Sequence, residues 1–243
     1  MHNDPQVAAM LANLEIANAV RARFATGDAA LARQDFRHWQ AERLARTHAD
    51  LLTSPRFGKA AVFFLTDLYS PTAKYGLYAQ AERVMPVAVR VLPHDGLETV
   101  ANAWELDAIS EKLDEAIIDA LQGQTQNLTP ARYAAAYKLV GQPAQRARQI
   151  DLIGELVKSL AHFATKPFAT ITVAALRKPS QLAGFGDLQA FLQRGMEALR
   201  HMGPIAPFID TVTTRERRLM TELLVGDPAL LEWYPPDGGE KAP

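Results

Sequence analysis

Asp107, Glu111 and Asp114 stand at i, i+4 and i+7, which sets three carboxylates on one face of a helix. Like charges at that spacing repel, so something must offset them. A divalent cation, which prefers hard oxygen ligands, is one answer, and these three residues are then its candidate metal ligands. A basic neighbouring helix is the other. The whole segment from Asp95 to Asp119 is acidic, with eight acids against one base, Lys112, for a net charge of −7. Residues 130–151 carry the opposite sign: Arg132, Lys138, Arg146 and Arg148 precede the first acid, Asp151. An internal match between these two segments is expected.

Other constellations that could carry chemistry fail their context. Di-iron bundles place Glu-x-x-His on two helices, and neither that pattern nor His-Glu-x-x-His occurs here. The nearest approach, Asp35-x-x-His38 with Glu42, lies among Arg33, Arg37 and Arg43 and reads as a solvated face. Gly184-Phe185-Gly186 follows no strand and lacks the third glycine of a dinucleotide fingerprint. No phosphate loop of the Gly-x-x-x-x-Gly-Lys type and no Gly-x-Ser-x-Gly elbow is present. The chain has no cysteine, which removes disulfides, thiolate metal sites and cysteine nucleophiles. No cofactor is expected. The outline helix, glycine turn, helix at 130–164 resembles a DNA-binding helix-turn-helix, but any αα-hairpin shares it. A net charge of −1 further argues against nucleic acid as partner.

The elements that must position these residues are helical. The 243 residues are 48% hydrophobic, and alanine and leucine dominate. Helices are expected at about 5–24, 29–52, 55–69, 75–92 with a kink at Pro86, 95–121, 130–140, 144–164, 187–202 and 205–224. The first carries a stripe of Val7, Leu11, Leu14, Ala17 and Val20. The second is anchored by Leu31, Phe36, Trp39, Leu44 and Leu51. The fifth is anchored by Leu97, Val100, Trp104, Ile109, Leu113 and Ile117. Asp227-Pro228 opens one further turn toward Trp233. The expectation is an all-α fold: an irregular bundle of about eight to ten helices, one domain over 1–234, and a Pro/Gly-rich flexible tail over 235–243. Thr170 to Val173 is β-branched, but a lone strand has no partner for its backbone, so a short buried helix is favoured. Basic ends flank that apolar centre, so 166–178 is also the place for peripheral membrane contact. No apolar run reaches the length of a membrane span, and no secretory signal opens the chain, so a cytoplasmic, non-integral protein is expected.

One helix is distinctive. Phe63-Phe64-Leu65-Thr66-Asp67-Leu68-Tyr69 resembles the signature of the bacterial FFLEELY-motif proteins. Thr66 and Asp67 stand where that signature has glutamates. The resemblance implies a helical fold over most of the chain and carries no catalytic residue. The stretch itself is apolar around most of its circumference, so it is expected to be central and sealed from water. Asp67 then needs a cation, and Arg56, Arg83 and Arg90 are the candidates. With each tested catalytic motif missing, the reading that survives best is a non-catalytic binding or interaction protein. Its apolar groove would be lined by Phe63, Phe64, Asp67, Tyr69, Tyr75, Tyr78 and Arg83, for an apolar small ligand or a protein partner. The alternative is a metal- or cofactor-dependent enzyme using the carboxylates of the bundle.

Overall fold

The structure is a computed structural model, and its described residues are 5–68, 79–80, 82–83, 85, 89, 94–164, 186–229 and 231. Every regular element among them is helical, as expected of an all-α bundle. The expected kink at Pro86, the conformation of 166–179, the turn toward Trp233 and the tail 235–243 lie outside the described residues.

Helix α1 spans Pro5–Arg23 and buries Met10, Ala17 and Val20, whereas Leu11, placed in its stripe by spacing, is 46% exposed. Helix α2 spans Gly27–Thr47 and a short α3 spans Ala49–Thr53, where the sequence suggested one helix to about 52. The break has local causes. Thr47 Oγ1 donates back to the Arg43 carbonyl at 2.9 Å, a bond that bends helices. The Thr47 carbonyl in turn accepts from Arg215 at 3.1 Å. Of the expected α2 anchors, Phe36 is fully buried, while Leu31 is exposed.

Ser54 Oγ accepts the backbone N–H groups of Arg56 and Phe57, each at 3.2 Å, and so closes a turn over 55–57 where the sequence suggested a helix starting at Pro55. Helix α4, Gly58–Phe63, follows one turn later. It passes directly into a π-helical turn, Phe64–Leu68. That turn corrects the expectation of a central, fully sealed helix. One extra residue per turn rotates the following side chains relative to an α-helix, and one side is left open. Phe63 is buried, Phe64 and Leu65 are half-buried, and Val62 and Thr66 are exposed.

The centre belongs instead to the acidic helix α5, His94–Ala120, which buries Trp104, Ala108, Leu113, Ile117 and Ile118. Around it pack α1, α2, α6 (Pro130–Val140) and α7 (Pro143–Ala164). Thr129 caps α6 by accepting from the Arg132 N–H at 3.3 Å. Helix α8, Gly186–Met202, and helix α9, Ala206–Val225, complete the described bundle. Gly226, at φ +85°, closes α9 in the left-handed conformation that a side chain would disfavour. At Gly195 a Cβ would lie 2.7 Å from the Phe63 ring, so α8 approaches α4 only because that position lacks a side chain.

Candidate functional site

The acidic row of α5 faces α1 and α2. Glu111 is completely buried, and its carboxylate accepts from Arg33 Nη2 at 2.8 and 2.9 Å and from Arg37 Nη2 at 2.8 Å. Arg21 Nε lies 3.4 Å from the same oxygen that Arg37 reaches. Asp107 accepts from Arg21, and Asp114 lies 3.4 Å from Arg37 Nε. All three arginines are buried. Three guanidiniums therefore meet three carboxylates inside the bundle. Such a network fixes helix register, because removing one member strands a buried charge. For Asp107, burial pushes the carboxyl above its ordinary value, and the charge and hydrogen bond of Arg21 only partly oppose this. The neighbour that offsets the acidic row is thus a helix pair, α1 and α2. Among the described residues no group of three or more His, Cys, Asp or Glu is arranged to hold a metal ion.

The partners of this row escape the sequence pattern, which sets Asp35, His38 and Glu42 on a solvated face flanked by Arg33, Arg37 and Arg43. His38 and Glu42 are indeed exposed and Asp35 is half-buried. The arginines, however, lie on the side of α2 that carries Ala32 and Phe36. Residues 32, 33, 36, 37 and 40 form one helical stripe, so two arginines in register with a buried phenylalanine were the available signal.

A second buried cluster joins α2, α6, α7 and α9. Glu216 of α9 accepts from Arg43 Nη1 at 2.7 Å through both oxygens and lies 2.9 Å from His48 Nε2. Arg43 Nε also donates to Gln40 Oε1 at 3.4 Å, and Gln40 Nε2 donates to the Tyr133 hydroxyl at 3.2 Å. The Tyr133 ring packs 4.4 Å from Trp39 and 5.7 Å from Tyr137. Arg146 lies over the Tyr137 ring at 3.4 Å. Burial pushes both phenols up, in spite of the nearby Arg43 and Arg146 charges.

Glu216 behaves in the opposite way. Burial alone would raise its carboxyl, but the charge of Arg43 and the bond and charge of His48 more than offset that, holding it at about 2 against an ordinary 4.5. A folded-state value below the unfolded one stabilises the fold above about 4.5, and that contribution fades as pH falls from 4.5 toward 2. In Glu216→Gln the deficit in melting temperature relative to wild type should therefore be full at pH 7 and shrink across this acid window. A deficit independent of pH would show that the charge of Glu216 contributes nothing.

The aromatic stretch forms a third feature. The Phe63 and Phe64 rings meet edge-on at 5.9 Å, Phe63 packs 5.3 Å from Phe191, and Phe64 stacks on Phe208 at 5.8 Å. Of the other residues proposed to line a groove, Arg83 is exposed, whereas Tyr69, Tyr75, Tyr78 and the side chain of Asp67 lie outside the described residues. Arg56, one suggested partner for Asp67, donates instead to the carbonyls of Met202 at 2.9 Å and Pro204 at 2.5 Å. Two basic residues of α6 and α7, Arg132 and Arg148, are likewise engaged within the bundle. Arg148 grips Glu105 at 2.7 and 2.8 Å and Glu155 at 3.0 Å, and Arg132 donates to the Gln124 carbonyl at 2.6 Å. Arg148 realises the expected match between α7 and the acidic helix, and these groups form no free stripe for a phosphate backbone. No described helix is long and apolar enough to cross a membrane.

The chain belongs to the family described as a domain of unknown function, DUF8198, which matches over residues 20–230. No curated protein and no solved structure matches it.

Proposed function

We propose that the protein is a non-catalytic binding or interaction protein that holds an apolar ligand, a small molecule or a protein segment, against α4 and its π-helical turn. One observation carries this reading. Val62, 47% exposed, and Leu192, 39% exposed, are the chain neighbours of Phe63 and Phe191, whose rings join α4 to α8. Two large apolar side chains thus stay in water on two packed helices, beside a π-helical turn of the kind that recurs at functional sites. Phe64, Asp67, Tyr69, Tyr75, Tyr78 and Arg83 remain the expected contacts of this surface. The likeness of 63–69 to the FFLEELY signature supports treating the stretch as the distinctive part of the chain. The enzyme reading draws less support, because Asp107, Glu111 and Asp114 each face a guanidinium.

The test is titration of the full chain with Nile red, an uncharged apolar fluorophore. Saturable binding is expected, and Val62→Glu and Leu192→Glu should each weaken it at least tenfold, equivalent to about 1.4 kcal/mol, while leaving helical circular dichroism unchanged. Absence of saturable binding, or equal affinity in both variants, would overturn the reading.

A further inference from the structure

The two buried ionic clusters differ in their charge balance. In the α1–α2–α5 network, Arg21, Arg33 and Arg37 face Asp107, Glu111 and Asp114. In the α2–α6–α7–α9 cluster, Arg43 is matched by Glu216. Arg146 is 5% exposed, makes no ion pair among the described residues, and has a buried Nη2 without a hydrogen-bond partner. One positive charge is left over in a dry place, which is costly unless an anion joins it.

The structural duties of Arg146 do not account for that charge. Its Nε donates to the Gly141 carbonyl at 2.7 Å, which helps close α6, and its planar face lies over Tyr137 at 3.4 Å. The guanidinium also makes a side-chain hydrogen bond to Tyr137, yet its Nη2 stays without a partner, and guanidinium N–H groups suit the oxygens of carboxylate and phosphate groups. We propose that Arg146 anchors a binding site for a small oxyanion, a carboxylate or phosphate group, at the junction of α6 and α7.

The surroundings fit an anion. Arg146 sits in the first turns of α7, where the helix dipole is positive. The charges of Arg43 and Arg146 both act on the phenols of Tyr133 and Tyr137, and the Asp114 carboxylate, held by Arg37, acts on Tyr133 in the opposite sense, so two cations and one already paired acid border these rings. The turn next to the site is open to solvent, since Gln142, Pro143, Ala144 and Gln145 are exposed. This site is separate from the apolar surface of α4 and does not depend on it.

The experiment measures the melting temperature of the full chain against sodium phosphate and, separately, sodium acetate, at fixed pH and at ionic strength held constant with sodium chloride. A rise of roughly 5–10 °C is expected at anion concentrations a hundredfold above the dissociation constant. Arg146→Met keeps an apolar stem over Tyr137 and removes the charge. It also gives up the bond to Gly141, so its own melting temperature without added anion is the baseline, and against that baseline it should lose the anion-dependent rise. A response to phosphate alone identifies a phosphate ligand, a response to acetate alone a carboxylate ligand, and a response to both the shared oxyanion chemistry. Calorimetric titration of the wild-type chain with the same two anions should give one site per chain, and this readout stands even if the variant fails to fold. If neither anion binds wild type, or if Arg146→Met responds equally, the proposal is overturned.

Discussion

Glu111→Ala is expected to destabilise the protein by about 3–5 kcal/mol and to lower its melting temperature by roughly 6–20 °C. The size follows from what the substitution leaves behind. Glu111 is fully buried and accepts from Arg33 and Arg37, with Arg21 close by. Without it, buried guanidiniums lose the carboxylate at their centre, and a neutral water entering the gap cannot supply its charge. The loss should exceed that from an exposed pair such as Arg23 with Asp119, where both groups are about half exposed and the measured worth of such pairs is about 0–1 kcal/mol. Parallel urea unfolding of Glu111→Ala and Asp119→Ala checks the contrast. Equal losses would mean that the internal network is no more demanding than a surface pair.

Phe36→Ala should cost about 3–5 kcal/mol by a different mechanism. Phe36 is 0% exposed and lies in the largest described core cluster, with Val20, Phe24, Ile117, Tyr133, Leu219 and Leu223 around it. Its ring lies 6.3 Å from that of Tyr133, in a stacked arrangement. Removing it leaves a cavity between helices from both halves of the chain, and such cavities close only partly. Phe64→Ala should cost less, because Phe64 is half-buried on the π-helical turn. Thermal or denaturant unfolding of the two variants fixes the order. A larger loss at Phe64 would place the core where the aromatic motif suggested it, not at α5.

Helical periodicity made most of the fold legible. The limits of α5, α6 and α7 follow from apolar spacing together with the Thr129-Pro130 start and the Gly141-Gln142-Pro143 stop. The break at His48 was hidden, because it arises from Thr47 bonding back to Arg43 and from Arg215, distant in sequence, drawing on the Thr47 carbonyl. The π-helical turn was hidden too, since a run of apolar residues reads the same in either helical form. That ambiguity moved the inferred centre of the bundle from α5 to the aromatic motif.

The charges were half legible. Spacing singled out Asp107, Glu111 and Asp114 and required that something offset them. It could not choose between a cation and a neighbouring helix, because the partners lie 74 to 86 residues away in sequence. Arg146 looked like one member of a basic stretch. Only the turn from α6 into α7 separates it from Arg148, which has two carboxylates, by setting Arg146 against the Gly141 carbonyl and the Tyr137 ring with no carboxylate among the described residues.

A double-mutant cycle on Arg33 and Glu111 addresses most directly whether the acidic helix is locked in place by arginines of its neighbours. Stabilities of wild type, Arg33→Ala, Glu111→Ala and the double variant, measured by urea unfolding, should reveal a coupling above about 1 kcal/mol, with the double variant far less damaged than the two losses combined. Additivity to within about 0.5 kcal/mol would contradict the pairing and, with it, the reading of these charges as the frame of the bundle.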